Sequence, residues 1–91
     1  MTKISKEEGI ILTLIERYER YRLPRLNDLK VKVDQGGQLE EYDIEFLEDL
    51  ISDAVRNKHL FDKHPEWQQF CSSVVSLYEE ISVKALENEK R

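Results

Sequence analysis

The chain contains little of what stabilises small secreted or all-β proteins: its 91 residues include one cysteine, three glycines and two prolines. A lone cysteine, Cys71, excludes an intrachain disulfide framework, and small secreted domains usually depend on several disulfides. So few glycines and prolines cannot supply the many tight turns of an all-β protein. We therefore expect an all-α protein in a reducing, cytoplasmic compartment.

Long apolar runs are missing as well. The apolar stretch near the amino terminus, Ile10 to Ile15, is short and is followed directly by Glu16 and Arg17. A secretory signal needs a longer apolar segment followed by small residues, and a membrane-spanning helix needs about 18 or more apolar residues. These absences predict a soluble chain with no signal segment and no membrane partner.

The charged residues, which make up 36% of the chain, are unevenly divided along it. Residues 17–32 contain six bases and two acids, whereas residues 33–55 contain eight acids and no base. The net charge of −5 disfavours non-specific attraction to nucleic acid or anionic lipid. The hydrophobic share of 40% is enough for one core, so we expect one domain over residues 1–91.

Helical spacing of the apolar residues dominates the pattern. Ser5 and Glu8 fit a capping box at the start of a first helix, which Pro24 is expected to end because it disfavours helical geometry at Leu23. Pro24 can open a short second helix, which Gly36 closes with a left-handed cap. The spacing predicts a third helix from about Glu40 to about Lys58, then a loop to His64. A fourth starts at Pro65 and ends at about Ala85 or Asn88.

These elements predict a four-helix, mostly antiparallel bundle with a short second helix and a frayed tail at about 87–91. One alternative is an α+β fold with a β-hairpin at about 29–46. There Leu29, Val31 and Val33 alternate with lysines, and Asp34 to Gly37 offers a turn. We favour helix because the returning strand would come from a segment with helical spacing, and a lone hairpin is marginal in water.

No catalytic, nucleotide-binding or metal-binding motif is recognisable. Gly36-Gly37 lacks the strand and the Lys-Ser/Thr of a phosphate-binding loop. His59, His64 and Cys71 lack the paired spacing of a zinc site. The carboxylates of residues 40–53 gather on a wet helix face, which gives none of the burial or asymmetry that acid–base catalysis needs. We therefore expect a non-enzymatic protein without a cofactor.

Two surface features carry the functional hypotheses. The first is a cluster of arginines interleaved with tyrosine, namely Arg17, Arg20, Tyr21, Arg22 and Arg25. The second is a pair of large apolar side chains beside the third loop, Phe61 and Trp67. The sequence predicts a protein-interaction module (an adaptor, regulator or small subunit) that binds a protein partner or a second copy of itself.

The same residues leave alternatives open. The arginines can instead pair internally with the acidic third helix, and Phe61 and Trp67 can plug one end of the bundle. Arginine beside tyrosine can also clamp phosphates and stack on bases, which would make an RNA- or phosphate-binding module. A small metal protein or enzyme built on His59, His64 and Cys71 is the second alternative.

Overall fold

The computed structural model describes residues 5–90, which are helical apart from short connections and contain no strand. The elements are α1 (Lys6–Arg17), a π-helical turn (Tyr18–Arg22), α2 (Leu23–Asp34), α3 (Glu41–Asp62), a 3-10 turn (Pro65–Trp67) and α4 (Gln68–Glu89). The all-α prediction is therefore confirmed, and the β-hairpin alternative at about 29–46 is wrong. The predicted count of four helices is not confirmed, because the first two are continuous.

Pro24 does not end the first helix, which corrects the sequence prediction. The backbone stays helical through Arg22 (φ −98°, ψ −40°) and Leu23 (φ −60°, ψ −45°). The amide of Leu23 donates to the carbonyl of Tyr18, five residues earlier, which is the wider hydrogen-bond pattern of a π turn. A proline ring normally clashes with the carbonyl four residues before it. The residue four before Pro24 is Arg20, which lies in the π turn. α1, the π turn and α2 thus form one long helix.

α3 runs antiparallel to this long helix. Near its start Asp43 accepts from Lys32 of α2, and near its end Phe61 packs with Ile11 of α1. α3 begins with a capping box made by Glu40 and Asp43, and it continues to Asp62. The predicted loop at 57–64 is therefore mostly helix, and Phe61 lies in the last turn of α3.

α4 runs parallel to the long helix and completes a three-helix bundle. Near its start Phe70 meets Tyr18 edge-on, with 5.3 Å between ring centroids, and near its end Asn88 donates to the carbonyl of Val33. Because α4 starts level with the π turn, α1 packs mainly on the end of α3 and the 3-10 turn. The molecule is consequently long and narrow, with extents of 56 × 21 × 18 Å.

Two apolar clusters hold the bundle together. The larger buries Leu26, Leu29, Val33, Leu47, Leu50, Val74, Ile81 and Ala85. The smaller buries Ile11, Leu60 and Phe61. Phe70 packs against both clusters, so it joins the two ends of the bundle. None of the described helices is both long enough and apolar enough to cross a membrane.

The end of α2 is a Schellman motif, as the glycine pattern predicts. Gly36 has φ +89°, its amide donates to Val33, and the amide of Gly37 donates to Lys32. A Cβ at Gly37 would lie 2.8 Å from the carbonyl oxygen of Lys32. Glycine is thus required at Gly36 by backbone conformation and at Gly37 by close approach.

Two glycine-to-alanine substitutions are expected to change stability in opposite directions. Gly36→Ala should lower the free energy of unfolding by about 1 kcal/mol, because a side chain at positive φ is strained. Gly9→Ala should raise it by up to about 1 kcal/mol, because Gly9 is helical and nothing lies within 4 Å of the added Cβ. Urea denaturation followed by circular dichroism measures both, and a destabilised Gly9→Ala variant would contradict this account of α1.

Candidate functional site

An open groove of about 770 Å³ lies where the π turn, α3 and α4 meet. Its apolar walls come from α1, α3 and α4, namely Leu14, Ile51, Ala54, Phe61, Phe70 and Val74. Phe61 and Phe70 are stacked there, with 6.3 Å between ring centroids. The groove therefore opens onto the junction of the two apolar clusters.

Large apolar side chains stay exposed along this groove. Val55 of α3 is 69% exposed, Tyr21 of the π turn is 66% exposed and Val75 of α4 is 39% exposed. Each belongs to a different helical stretch and contributes to the same opening. Exposed large apolar side chains from three elements thus surround one concave opening, which makes the groove the best candidate binding surface of the described residues.

The charges around the groove are mostly paired with one another. Arg22 of the π turn forms an ion pair with Asp53 of α3. Lys58 and Asp62 pair along α3 at 2.7 Å. Both pairs are partly exposed, so each contributes little to stability. Among residues 5–90, Arg17 at one end of the groove and Glu79 at the other have no ion-pair partner.

Cys71 lines the groove and is half-buried rather than wholly enclosed. Burial, and then the charge of Asp62, raises the pKa of its thiol. A nucleophilic cysteine needs a lowered pKa, because the thiolate is the reactive form. Cys71 therefore packs in the wall of the groove without the lowered thiol pKa of a nucleophilic cysteine.

The structure divides the predicted arginine–tyrosine cluster. Arg17, Tyr21 and Arg22 line the groove, whereas Arg20 is exposed with its guanidinium 6.0 Å from the ring centre of Tyr21. Arg25 lies outside the groove, beside Asp43. Internal pairing with α3, which the sequence suggested, thus holds for Arg22 and Arg25.

The two predicted apolar anchors are also separated. Phe61 is buried and contributes to the wall of the groove. Trp67 is half-buried in the 3-10 turn, where it packs on the smaller cluster with its indole Nε1 buried and without a hydrogen-bond partner in the described chain. Of the two, only Phe61 belongs to the groove.

A polar cluster around Asp43 joins α2 to the start of α3. Asp43 is 3% exposed. Its carboxylate accepts from Lys32 Nζ and from the amide of Glu40, both at 3.0 Å, and lies 3.5 Å from Arg25 Nη2. Burial opposes ionisation, but these three donors outweigh it and hold the pKa of Asp43 below its ordinary value. Arg25 also stacks 4.3 Å from the ring centre of Phe46. These groups satisfy one another, so the arrangement is structural.

His64 joins the amino-terminal end of α1 to the turn before α4. Its Nε2 lies 3.2 Å from a carboxylate oxygen of Glu7, and its Nδ1 lies 3.4 Å from Glu66. The hydrogen bond from His64, and then the charge of Lys63, lowers the pKa of Glu7. His64 is the residue before the 3-10 turn, but its side chain makes no cap hydrogen bond there.

The residues of the metal hypothesis are not brought into one ligand set. His59 is exposed on α3, His64 faces Glu7, and Cys71 lines the groove. Over residues 5–90 no group of three or more histidine, cysteine, aspartate or glutamate side chains is placed to hold a metal ion.

Sequence reasoning missed the apolar residues that make the groove a surface, chiefly Val55 and Val75. Both follow the apolar periodicity of their helices, so the pattern alone assigns them to the core. Their exposure depends on how the helices pack against one another, which no local pattern encodes.

Comparison with known proteins adds no assignment. The chain matches no family model, and no curated protein and no solved structure is significantly similar to it. The function must therefore be argued from the groove itself.

Proposed function

We propose that this chain is a non-enzymatic protein-interaction module and that the groove is its docking surface. The observation that carries the proposal is the exposure of Tyr21, Val55 and Val75 around a single apolar opening. Covering such side chains removes apolar area from water, which is worth about 25 cal/mol per Å². A protein partner would gain affinity from this area.

The charges support binding rather than chemistry. Arg22 and Lys58 are held by Asp53 and Asp62, so neither offers an unpaired catalytic group. Arg17 and Glu79, which line the same groove, would orient a partner. Cys71 has a raised thiol pKa, which works against a nucleophilic role. The paired charges and the raised thiol pKa therefore fit a binding surface better than an active site.

The RNA-binding alternative has weaker support. Arg22 and Arg25 are engaged by acids, which leaves Arg17 and Arg20 as the cations of the cluster without an ion-pair partner in the described chain. The acidic net charge adds repulsion against a polyanion. Salt-titrated binding to single-stranded RNA tests this alternative, and affinity that falls steeply with salt would favour it over the proposal.

A photo-crosslinking amino acid at Val55 tests the proposed docking surface in the cells that make this protein. We expect a crosslinked protein product from position 55, because that side chain projects from the groove wall. Val31 is the matched control: it is a valine on a helix, it is 55% exposed, and it lies outside the groove. Adding Val75→Glu should abolish the product from position 55. Equal products from both positions, or none from position 55, would count against the groove.

A further inference from the structure

We infer that the groove binds a second copy of this chain, in an antiparallel two-fold dimer. The inference rests on the proposed function and names the partner of the same groove. Three observations carry it: the surface that the monomer exposes, the polarity of the unpaired charges along the groove, and the distribution of the remaining acids.

The monomer exposes more surface than a folded chain of its size should. Its accessible area is 6677 Å², about 1,100 Å² more than the roughly 5,600 Å² expected for 10.9 kDa. Its radius of gyration, 15.0 Å, also exceeds the value of about 12 Å expected for a compact domain of this length. A stable interface buries about 800 Å² on each partner, so a dimer would absorb the excess.

The groove has one positive end and one negative end. Arg17 lies level with the start of α4, because its neighbour Tyr18 meets Phe70. Glu79 is nine residues beyond Phe70, which is about 13 Å along the helix axis. The other charges of the groove form the Arg22–Asp53 and Lys58–Asp62 pairs, each of which carries no net charge.

A two-fold axis perpendicular to the length of the groove brings opposite charges together at both ends of the interface. In an antiparallel pair, Arg17 of each copy faces Glu79 of the other, and the apolar walls meet between them. The interface is then isologous, with the same surface patch on both subunits. A parallel pairing would instead place like charges together, which costs free energy.

The rest of the surface argues against association elsewhere. The net charge of −5 makes two copies repel, and the exposed acids of α3 (Glu41, Glu45, Glu48 and Asp49) carry much of that charge. The groove charges, in contrast, sum to zero, with Arg17, Arg22 and Lys58 against Asp53, Asp62 and Glu79. The groove is therefore the face on which a second copy meets the least repulsion and the most apolar surface.

Sedimentation velocity over a dilution series of the purified full chain tests the dimer. Val55→Glu should raise the dissociation constant by about tenfold or more, because it puts a charge into the apolar centre of the interface. Val31→Glu is the matched control and should leave the constant unchanged. Both side chains are more than half exposed in the monomer, so circular dichroism should show that both variants stay folded.

A charge swap tests the antiparallel arrangement. Arg17→Glu alone, or Glu79→Arg alone, should weaken the dimer severalfold because like charges then face each other. The double variant should recover most of the wild-type affinity, since both ends change sign together. Weakening by either single change without recovery in the double variant would overturn the antiparallel placement.

Two outcomes separate this inference from the proposed function. A wild-type chain that stays monomeric up to its solubility limit overturns the dimer. If position 55 nevertheless crosslinks to a different protein in cells, the docking surface stands and only its occupant was wrong. If position 55 crosslinks to nothing and the chain is monomeric, both fail.

Discussion

Replacing Asn88 by alanine is expected to lower the free energy of unfolding by about 2–4 kcal/mol. Asn88 is 3% exposed, and its Nδ2 donates to the carbonyls of Val33 and Gly37, each at 2.9 Å. Its loss removes both hydrogen bonds and leaves the carbonyl oxygens of Val33, which is buried, and of Gly37, which is partly buried, without this partner. Urea denaturation followed by circular dichroism measures the change.

Glu89→Ala is the control for Asn88, because Glu89 is the neighbouring residue in α4 and is exposed. It should change stability by less than about 0.5 kcal/mol. A Gln at position 88 offers the same amide on a longer side chain, so Asn88→Gln should recover little of the loss. Equal stability of Asn88→Ala and the wild type would show that α4 does not anchor the connection after α2.

The second large effect is expected at Asp43. Asp43→Ala should lower the free energy of unfolding by about 2–3 kcal/mol, because it removes the α3 cap and leaves Lys32 and Arg25 without their shared carboxylate. The loss should be smaller than for a fully buried pair because both cations are about a third or more exposed, so water partly screens them. Thermal and urea denaturation at neutral pH measure the loss.

The contribution of Asp43 should depend on pH in one direction. Its pKa in the folded state is lowered, so its stabilisation is complete above the unfolded-state pKa of about 3.9 and is lost as pH falls through the lowered value. Asp43→Asn keeps an oxygen for the Glu40 amide but removes the charge. The stability difference between wild type and Asp43→Asn should therefore be constant at neutral pH and shrink below about pH 4. A difference that grows in acid would contradict the assignment.

The helical content and several of its end signals follow from sequence alone. Ser5 accepts from the amide of Glu8 at 3.1 Å, and Gly36 adopts the left-handed conformation that its place after α2 predicts. Both signals act within one turn of the chain, where neighbouring residues decide the backbone. Within the tail expected to fray, α4 continues to Glu89, and nothing local to Asn88 shows that it is buried. Arg91 lies outside the described residues.

The continuity through Pro24 was predictable in part. Residues spaced by four, three and four form one stripe on both sides of the proline, namely Ile11, Ile15, Tyr18, Arg22, Leu26, Leu29 and Val33. The local effect of proline on the residue before it, Leu23, predicts the opposite. The wider hydrogen bond from Leu23 to Tyr18 lies where the ring of Pro24 would crowd a regular α-helix, and the apolar spacing does not reveal that register.

The extension of α3 has a similar explanation. Leu47, Leu50, Ala54 and Phe61 keep helical spacing past Lys58, but the polar run from Asn57 to His59 resembles the start of a loop. The groove could not be predicted in the same way. The apolar residues of the groove can be identified in the sequence. Which of them stay exposed depends on how the helices pack against one another.

The π turn also sets how the chain tolerates changes in length. A π turn holds one residue more than the same stretch of α-helix, so deleting one residue from Tyr18–Arg22 would restore regular α-helix and leave Ile11, Leu26 and Leu29 in their places. Deleting a residue from α2 instead would turn everything after it by about 100° around the helix axis. The connection at 35–40 could accept an extra residue at small entropic cost. Single-residue deletions should therefore be tolerated in the π turn, and insertions in the connection, better than within the α-helices.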